Sequence, residues 1–251
     1  MEITINGARI LAVFENVPLL GTVRLTQTVT MSWLVMIIIS ALCIWLGSNL
    51  KVTGITRKQA VAEMAVTSLV KFVHNNMGTG FDHYIPLVGT IFITSIISNT
   101  ISVLGFWSPT ADLMTELGWA LVVFVLITYH KIKAAGFGAY LKGFLDPLFV
   151  LAPINVMAEC FTPISMACRH FGNILSGIVI NGLIYAALAI ASGALLGLIP
   201  GVVGDFLSNI PILSVGLPAI LSFYFDWFTG VMQAFIFTML TIMYIANAAE
   251  G

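Results

Sequence analysis

Arg169 stands inside an apolar run, where a guanidinium is costly. The stretch Pro163 to Gly177 reads Pro-Ile-Ser-Met-Ala-Cys-Arg-His-Phe-Gly-Asn-Ile-Leu-Ser-Gly, and its apolar character continues to about Ile199. An arginine at the centre of a bilayer costs roughly 2.5–3.5 kcal/mol on insertion scales, and chains that keep one use it on an ion path or against a carboxylate. Helix neighbours recur three and four residues apart. On that spacing Arg169 shares a face with Met166, Thr162 and Glu159 on one side, and with Asn173 and Ser176 on the other, with Asn181 beside Ile180 beyond them. His170 adjoins Arg169 but points about 100° away around the helix. In the last apolar segment Asp226 and Gln233 stand two turns apart on one face. Such groups must face protein or water, because lipid cannot satisfy them. The chemistry that fits is ion conduction: an acidic entrance at Asp226, a fixed positive charge at Arg169 near Asn173 and Gln233, and a second polar stripe leading away to Glu159. The plainer reading makes Asn173, Asn181 and Gln233 interhelical glue, worth about 0.6 kcal/mol each.

The elements that position these residues are membrane helices. The chain has 251 residues, 59% of them hydrophobic and 8% charged, against about 25% charged in soluble domains. A net charge of −1 suggests no nucleic-acid surface. The composition predicts an all-α integral membrane protein. A span takes about 20 apolar residues. Thr30 to Leu46, Ile85 to Phe106 and Leu117 to Lys131 qualify. Gln59 to Met77 carries Glu63, Lys71 and His74 and suits an amphipathic helix at the interface. Phe144 to Val156, interrupted by Pro147 and Pro153, reads as a re-entrant or flat piece. Pro163 to Ile199 and Ala219 to Asn247 are too long for a perpendicular crossing. At 1.5 Å per residue they extend roughly 55 and 45 Å, against a hydrocarbon slab of about 30 Å. We expect two strongly tilted helices forming an antiparallel hairpin that turns near Pro200 to Pro218, or else a break at a glycine such as Gly182, Gly193 or Gly230.

Three regions follow: residues 1–29 as an outer-side segment without a cleavable signal, 30–158 as peripheral membrane helices, and 159–251 as the hairpin carrying the ion path. Basic residues favour the cytoplasmic side. Lys51, Arg57 and Lys58 after the first span, and Lys131, Lys133 and Lys142 after the third, place the N-terminus outside and the C-terminus inside. Cys43, Cys160 and Cys168 read as reduced packing residues, and His74, His83 and His130 as interfacial. No phosphate loop, nucleophile elbow or metal-ligand pair is visible, so neither a cofactor nor a metal is expected. A self-contained transporter binding an anion at Arg169 is the competing reading. Transporters show related halves, and no internal repeat is evident here.

These residues resemble the a subunit of the F-type ATP synthase, part of its membrane Fo sector. The likeness rests on Arg169-His-Phe-Gly-Asn173 and on Gln233-Ala-Phe-Ile-Phe-Thr-Met-Leu-Thr-Ile-Met-Tyr244. It extends to Pro153-Ile-Asn155, Thr162-Pro163-Ile-Ser165, Asn99, Pro109-Thr-Ala-Asp112 and Ile132-Lys133 with Gly136, covering about residues 60 to 250. The resemblance implies a non-catalytic stator subunit, in a membrane that is bacterial on our reading. Two offset half-channels would pass protons or sodium ions to carboxylates on a rotating c-ring, coupling ion flow to ATP synthesis. A peripheral-stalk b subunit, the rest of the synthase and the lipid bilayer would complete its surroundings. Arg169 would attract the ionised ring carboxylate, since an opposite charge nearby lowers a carboxyl pKa. The chain departs from the family in having His170 where leucine is common, Ile178 where glutamate is common, and Asp226 where histidine often stands. Asp226, with Asn181 nearby, is the expected replacement carboxylate.

Overall fold

The computed structural model describes residues 8–17, 21–146, 148–196, 220–221 and 223–250. The turn expected near Pro200 to Pro218 lies outside the described residues. The chain opens with an antiparallel hairpin of β1 (Ile10–Val17) and β2 (Gly21–Thr26), registered from Ile10 opposite Thr26 to Val17 opposite Gly21. Nothing in our reading of the first 29 residues anticipated these strands.

Helix α1 (Gln27–Gly47) follows directly. It is apolar all round, and only Thr28 and Val35 are buried. Such a helix belongs in lipid rather than in a protein core. Helix α2 (Arg57–Met77) is the expected amphipathic element. The Thr56 side chain caps it by accepting from the Gln59 amide, and Gly78, at φ +83°, ends it. That left-handed conformation is strained for any residue but glycine. Helix α3 (Ile85–Val103) and helix α4 (Leu113–Ala135) follow, joined through a 3-10 turn over Pro109–Ala111. Asp112 starts α4, its side chain accepting from the Met114 amide at 3.0 Å. The short α5 (Phe137–Gly143) comes next.

The structure corrects the expectation of a separate re-entrant piece over Phe144 to Val156. A 3-10 turn (Phe149–Leu151) runs straight into α6, a single helix over Ala152–Leu196. Pro153 falls at its second residue, where the missing N–H is no loss. The helix continues unbroken past Gly172, Gly177, Gly182 and Gly193. Its 45 residues extend about 67 Å at 1.5 Å each. A straight rod of that length fits a 30 Å slab only when inclined by about 60°. The last helix, α7 (Thr229–Glu250), is preceded by a π turn over Phe223–Phe228. The departure from α-helical geometry therefore sits beside Gly230, one of the glycines where a break was anticipated.

Helix α7 packs on α2, α3, α4 and α6, and α4 also packs on α6. The core lies between these helices. It includes Val73, Val88, Ala120, Val123, Ala167, Phe237, Ile242 and Ile245. Ala120 and Ala167 are fully buried. Apolar contact drives little helix association in lipid, so small residues that let backbones approach count for more.

Candidate functional site

Arg169 and His170 occupy successive positions on α6 and face opposite environments. Arg169 is exposed. His170 is fully buried. The 100° per residue of an α-helix produces that split. One turn further on, the Asn173 amide donates to Gln233 Oε1 at 2.7 Å, tying α6 to α7 beside the arginine. Gln233 is 3% exposed. Ser176 is exposed and donates back to the Asn173 carbonyl at 2.9 Å. Arg169, Asn173, Ser176 and Gln233 thus gather around one crossing, as their spacing suggests. Asn181 is buried farther along the helix.

The stripe toward Glu159 divides. Met166 is buried in the core, while Glu159 and Thr162 line a cavity of about 610 Å³ between α4, α5, α6 and α7. Lys131 Nζ lies 2.7 Å from both Glu159 carboxylate oxygens. Tyr140, Asn155 and Asn247 share the wall. Burial, and next the nearby Glu159 carboxylate, push the Tyr140 hydroxyl above its ordinary pKa. Pro163 has no N–H, so the Glu159 carbonyl loses its helical donor four residues on.

Asp226 falls in the π turn, and its side chain lies outside the described residues. The face it was to share with Gln233 assumes 3.6 residues per turn. That phase does not hold across a π turn, which closes i to i+5 hydrogen bonds. The same distortion is met from α3. Asn99 donates to the Gly230 carbonyl at 2.9 Å, and Thr110 donates to Asn99 Oδ1 at 2.9 Å. Ser108 continues this buried network to Thr110 at 2.6 Å and to the Ser98 carbonyl at 2.9 Å.

His130 is packed inside the protein: it is 7% exposed, with the Tyr84 hydroxyl 2.6 Å from its Nε2. Cys43, Cys160 and Cys168 are free and exposed rather than packed inside.

One buried acid was missed altogether. Glu116, in the first turn of α4, is fully buried, with Oε2 2.9 Å from His170 Nδ1. Ser95 Oγ of α3 lies 3.3 Å from His170 Nε2. Starting the third span at Leu117 leaves Glu116 in a loop. Reading Asp112 as a helix cap moves it inside.

Among the described residues, five helices are long and apolar enough to cross a membrane, and with the polar crossing of α6 and α7 they define a polytopic helical membrane protein. Its sequence likeness narrows the class. The chain belongs to the ATP synthase A chain family, whose model matches residues 29–246. It is 31% identical over 236 residues to ATP synthase subunit a 1 of Prosthecochloris aestuarii, covering 92% of this chain and 93% of that one. It is 32% identical over 239 residues to the sodium ion specific ATP synthase subunit a of Propionigenium modestum, covering 89% and 74%. The subunit a of Moorella thermoacetica is 31% identical over 235 residues, covering 92% and 94%.

Proposed function

We propose that this chain is the ion-conducting stator of an F-type ATP synthase, carrying two offset half-channels that deliver ions to a c-ring and collect them from it. The observation that carries the reading is the outward face of Arg169 on a long helix whose adjacent residue, His170, is fully buried. An exposed arginine inside a bilayer needs a partner of opposite charge. A ring of small subunits bearing carboxylates supplies it. A self-contained transporter would enclose its anion site, whereas Arg169 is exposed among the described residues.

On this reading α6 and α7 form the ring-facing hairpin of residues 159–251. The cavity at Lys131, Glu159 and Thr162 is the inner vestibule, and the Asn99–Gly230 region lies toward the outer entrance near Asp226 and Asn181. The N-terminus is outside and the C-terminus cytoplasmic. A b subunit of the peripheral stalk holds the chain still. The guanidinium favours the ionised ring carboxylate in front of it, which promotes ion release there. It also blocks direct leakage between half-channels. ATP chemistry belongs to other subunits.

The test is ATP-driven ion pumping by vesicles carrying the whole complex with Arg169→Ala, beside passive leak with the soluble head removed. The expected result is lost pumping with assembly intact. Normal pumping would overturn the stator reading.

A further inference from the structure

Glu116 and His170 are the only carboxylate–imidazole pair with both side chains fully buried among the described residues, and the conduction path outlined above does not use them. They sit where α3, α4, α6 and α7 meet. Helix α4 brings the carboxylate, α6 the imidazole, and α3 the Ser95 hydroxyl. Helix α7 brings Phe237, whose ring centroid is 5.8 Å from that of His170.

The contacts are sparse for so buried a pair. His170 Nδ1 and Glu116 Oε2 approach to 2.9 Å but lack the alignment of a hydrogen bond, and Glu116 Oε1 has no hydrogen-bond partner. A buried pair whose carboxylate has no hydrogen bond, and whose imidazole has one only to Ser95, is a poor stabiliser, and apolar residues of equal size often serve as well or better. Ionisable groups kept inside a membrane core mark ion paths and proton relays. No other strong acid or base is built into the surrounding helices at this depth. Helix α3 carries no titratable residue, and α7 has only Tyr244 and Glu250. On α6 the neighbouring charge is Arg169, turned outward, with the exposed thiol of Cys168 before it. On α4 the remaining groups, Tyr129, His130, Lys131 and Lys133, lie more than three turns away, and Asp112 caps the helix start.

We propose that Glu116, His170 and Ser95 form a proton-relay site, one that receives the coupling proton on the α4 N-terminal side of the arginine. The proposal rests on the stator reading and adds to it a proton as the coupled ion. With the carboxylate ionised and the imidazole neutral, the pair carries one negative charge. An arriving proton forms an O–H bond at Glu116 or an N–H bond at His170, and the pair becomes neutral. Breaking that bond heterolytically passes the proton on and restores the negative charge. Ser95, on the far nitrogen, orients the ring through its hydroxyl, which can both donate and accept.

The experiment uses the whole complex in vesicles, with ATP-driven proton uptake and, after removal of the soluble head, passive proton flux followed from pH 5 to 9. Glu116→Gln is expected to lower passive flux at least tenfold, while the ring and head remain bound and ATP hydrolysis is retained. Glu116→Asp keeps an acid there and is expected to conduct, with a shifted pH profile. His170→Gln should lose flux as Glu116→Gln does. Unchanged flux and pH profile in an assembled Glu116→Gln complex overturn the relay. So does failure of all three variants to assemble, which would make the pair a structural tie. Wild-type vesicles that pump sodium and not protons overturn the relay and leave the stator standing. Wild-type complexes that move neither ion overturn the stator reading itself.

Discussion

Gly230→Ala should loosen the junction between α3 and α7, and the structure fixes how much. A methyl group at Gly230 would meet Asn99 Cβ and Cγ at 2.9 Å and Nδ2 at 3.0 Å. Real Cβ contacts are essentially never that short, so Asn99 must move. Its movement breaks the 2.9 Å bond to the Gly230 carbonyl and disturbs the Thr110 bond behind it. Overpacking costs about 1–3 kcal/mol, and each buried bond about 0.5–1.5 kcal/mol. Replacing a helical glycine returns up to about 1 kcal/mol. With one bond lost the net loss is about 0.5–4.5 kcal/mol, set by how far Asn99 can give. Equilibrium unfolding in mixed detergent micelles measures it. A cycle with Asn99→Gly isolates the cause, because that change removes all three offending atoms. In its presence Gly230→Ala should cost nothing or stabilise. Asn99→Ala should relieve the strain only in part, since Cβ remains at 2.9 Å. Gly89→Ala serves as a control: its methyl would meet only the flexible Leu69 side chain, at 2.6 Å from Cδ2, and should be far better tolerated. A cost at Gly230 that persists undiminished in the Asn99→Gly background refutes the steric argument.

Three further outcomes are expected. Gln233→Leu removes the 2.7 Å acceptor of Asn173. It should cost only about 0.6–1.7 kcal/mol in unfolding, yet lower ATP-driven pumping by more than that loss explains. Lys131→Ala leaves Glu159, whose side chain is 17% exposed, without its cation. Passive conduction should then show altered pH dependence, whereas Lys131→Arg should restore the wild-type profile. Cys168 precedes Arg169 and is exposed. A membrane-permeant maleimide should label it readily in the chain alone and slowly in the assembled complex, and equal rates would argue against a partner on that face.

The spans were legible because hydropathy runs are long, and α2 because its apolar residues recur at helical spacing. The start of α6 was hidden by reading Pro153 as a breaker, although a proline in a first helical turn costs little. The β-hairpin was overlooked: Thr22-Val23-Arg24-Leu25-Thr26 alternates polar and apolar residues, but Ile10–Phe14 is a continuous apolar run whose periodicity favours neither strand nor helix. At the site, the nearness of Gln233 to the Arg169 stretch followed from helical periodicity and an antiparallel hairpin, whereas its bond to Asn173 did not. The face assigned to Asp226 did not survive as an argument, because a π turn alters the period on which it depended. Glu116 escaped notice for another reason. Its meaning comes from His170, 54 positions away in the chain, and only the packing of α4 on α6 joins them.

The ties at the two ends of α3 carry a mechanical consequence. Helices in hydrocarbon can slide along one another at little cost, because lipid tails replace whatever apolar packing a neighbouring helix gives up. Directional bonds are what resist such shear. Helix α3 is pinned near both of its ends: Tyr84, just before it, bonds to His130 of α4, and Ser98 and Asn99 near its far end bond to Ser108 and Thr110 in the connection that follows. A slip of α3 by one helical rise, about 1.5 Å, would strain both sets of bonds. Two rivets hold a strut against both slip and rotation where one allows pivoting. Helix α7, which packs on α3 and on α4, therefore bears against a fixed strut rather than a sliding one.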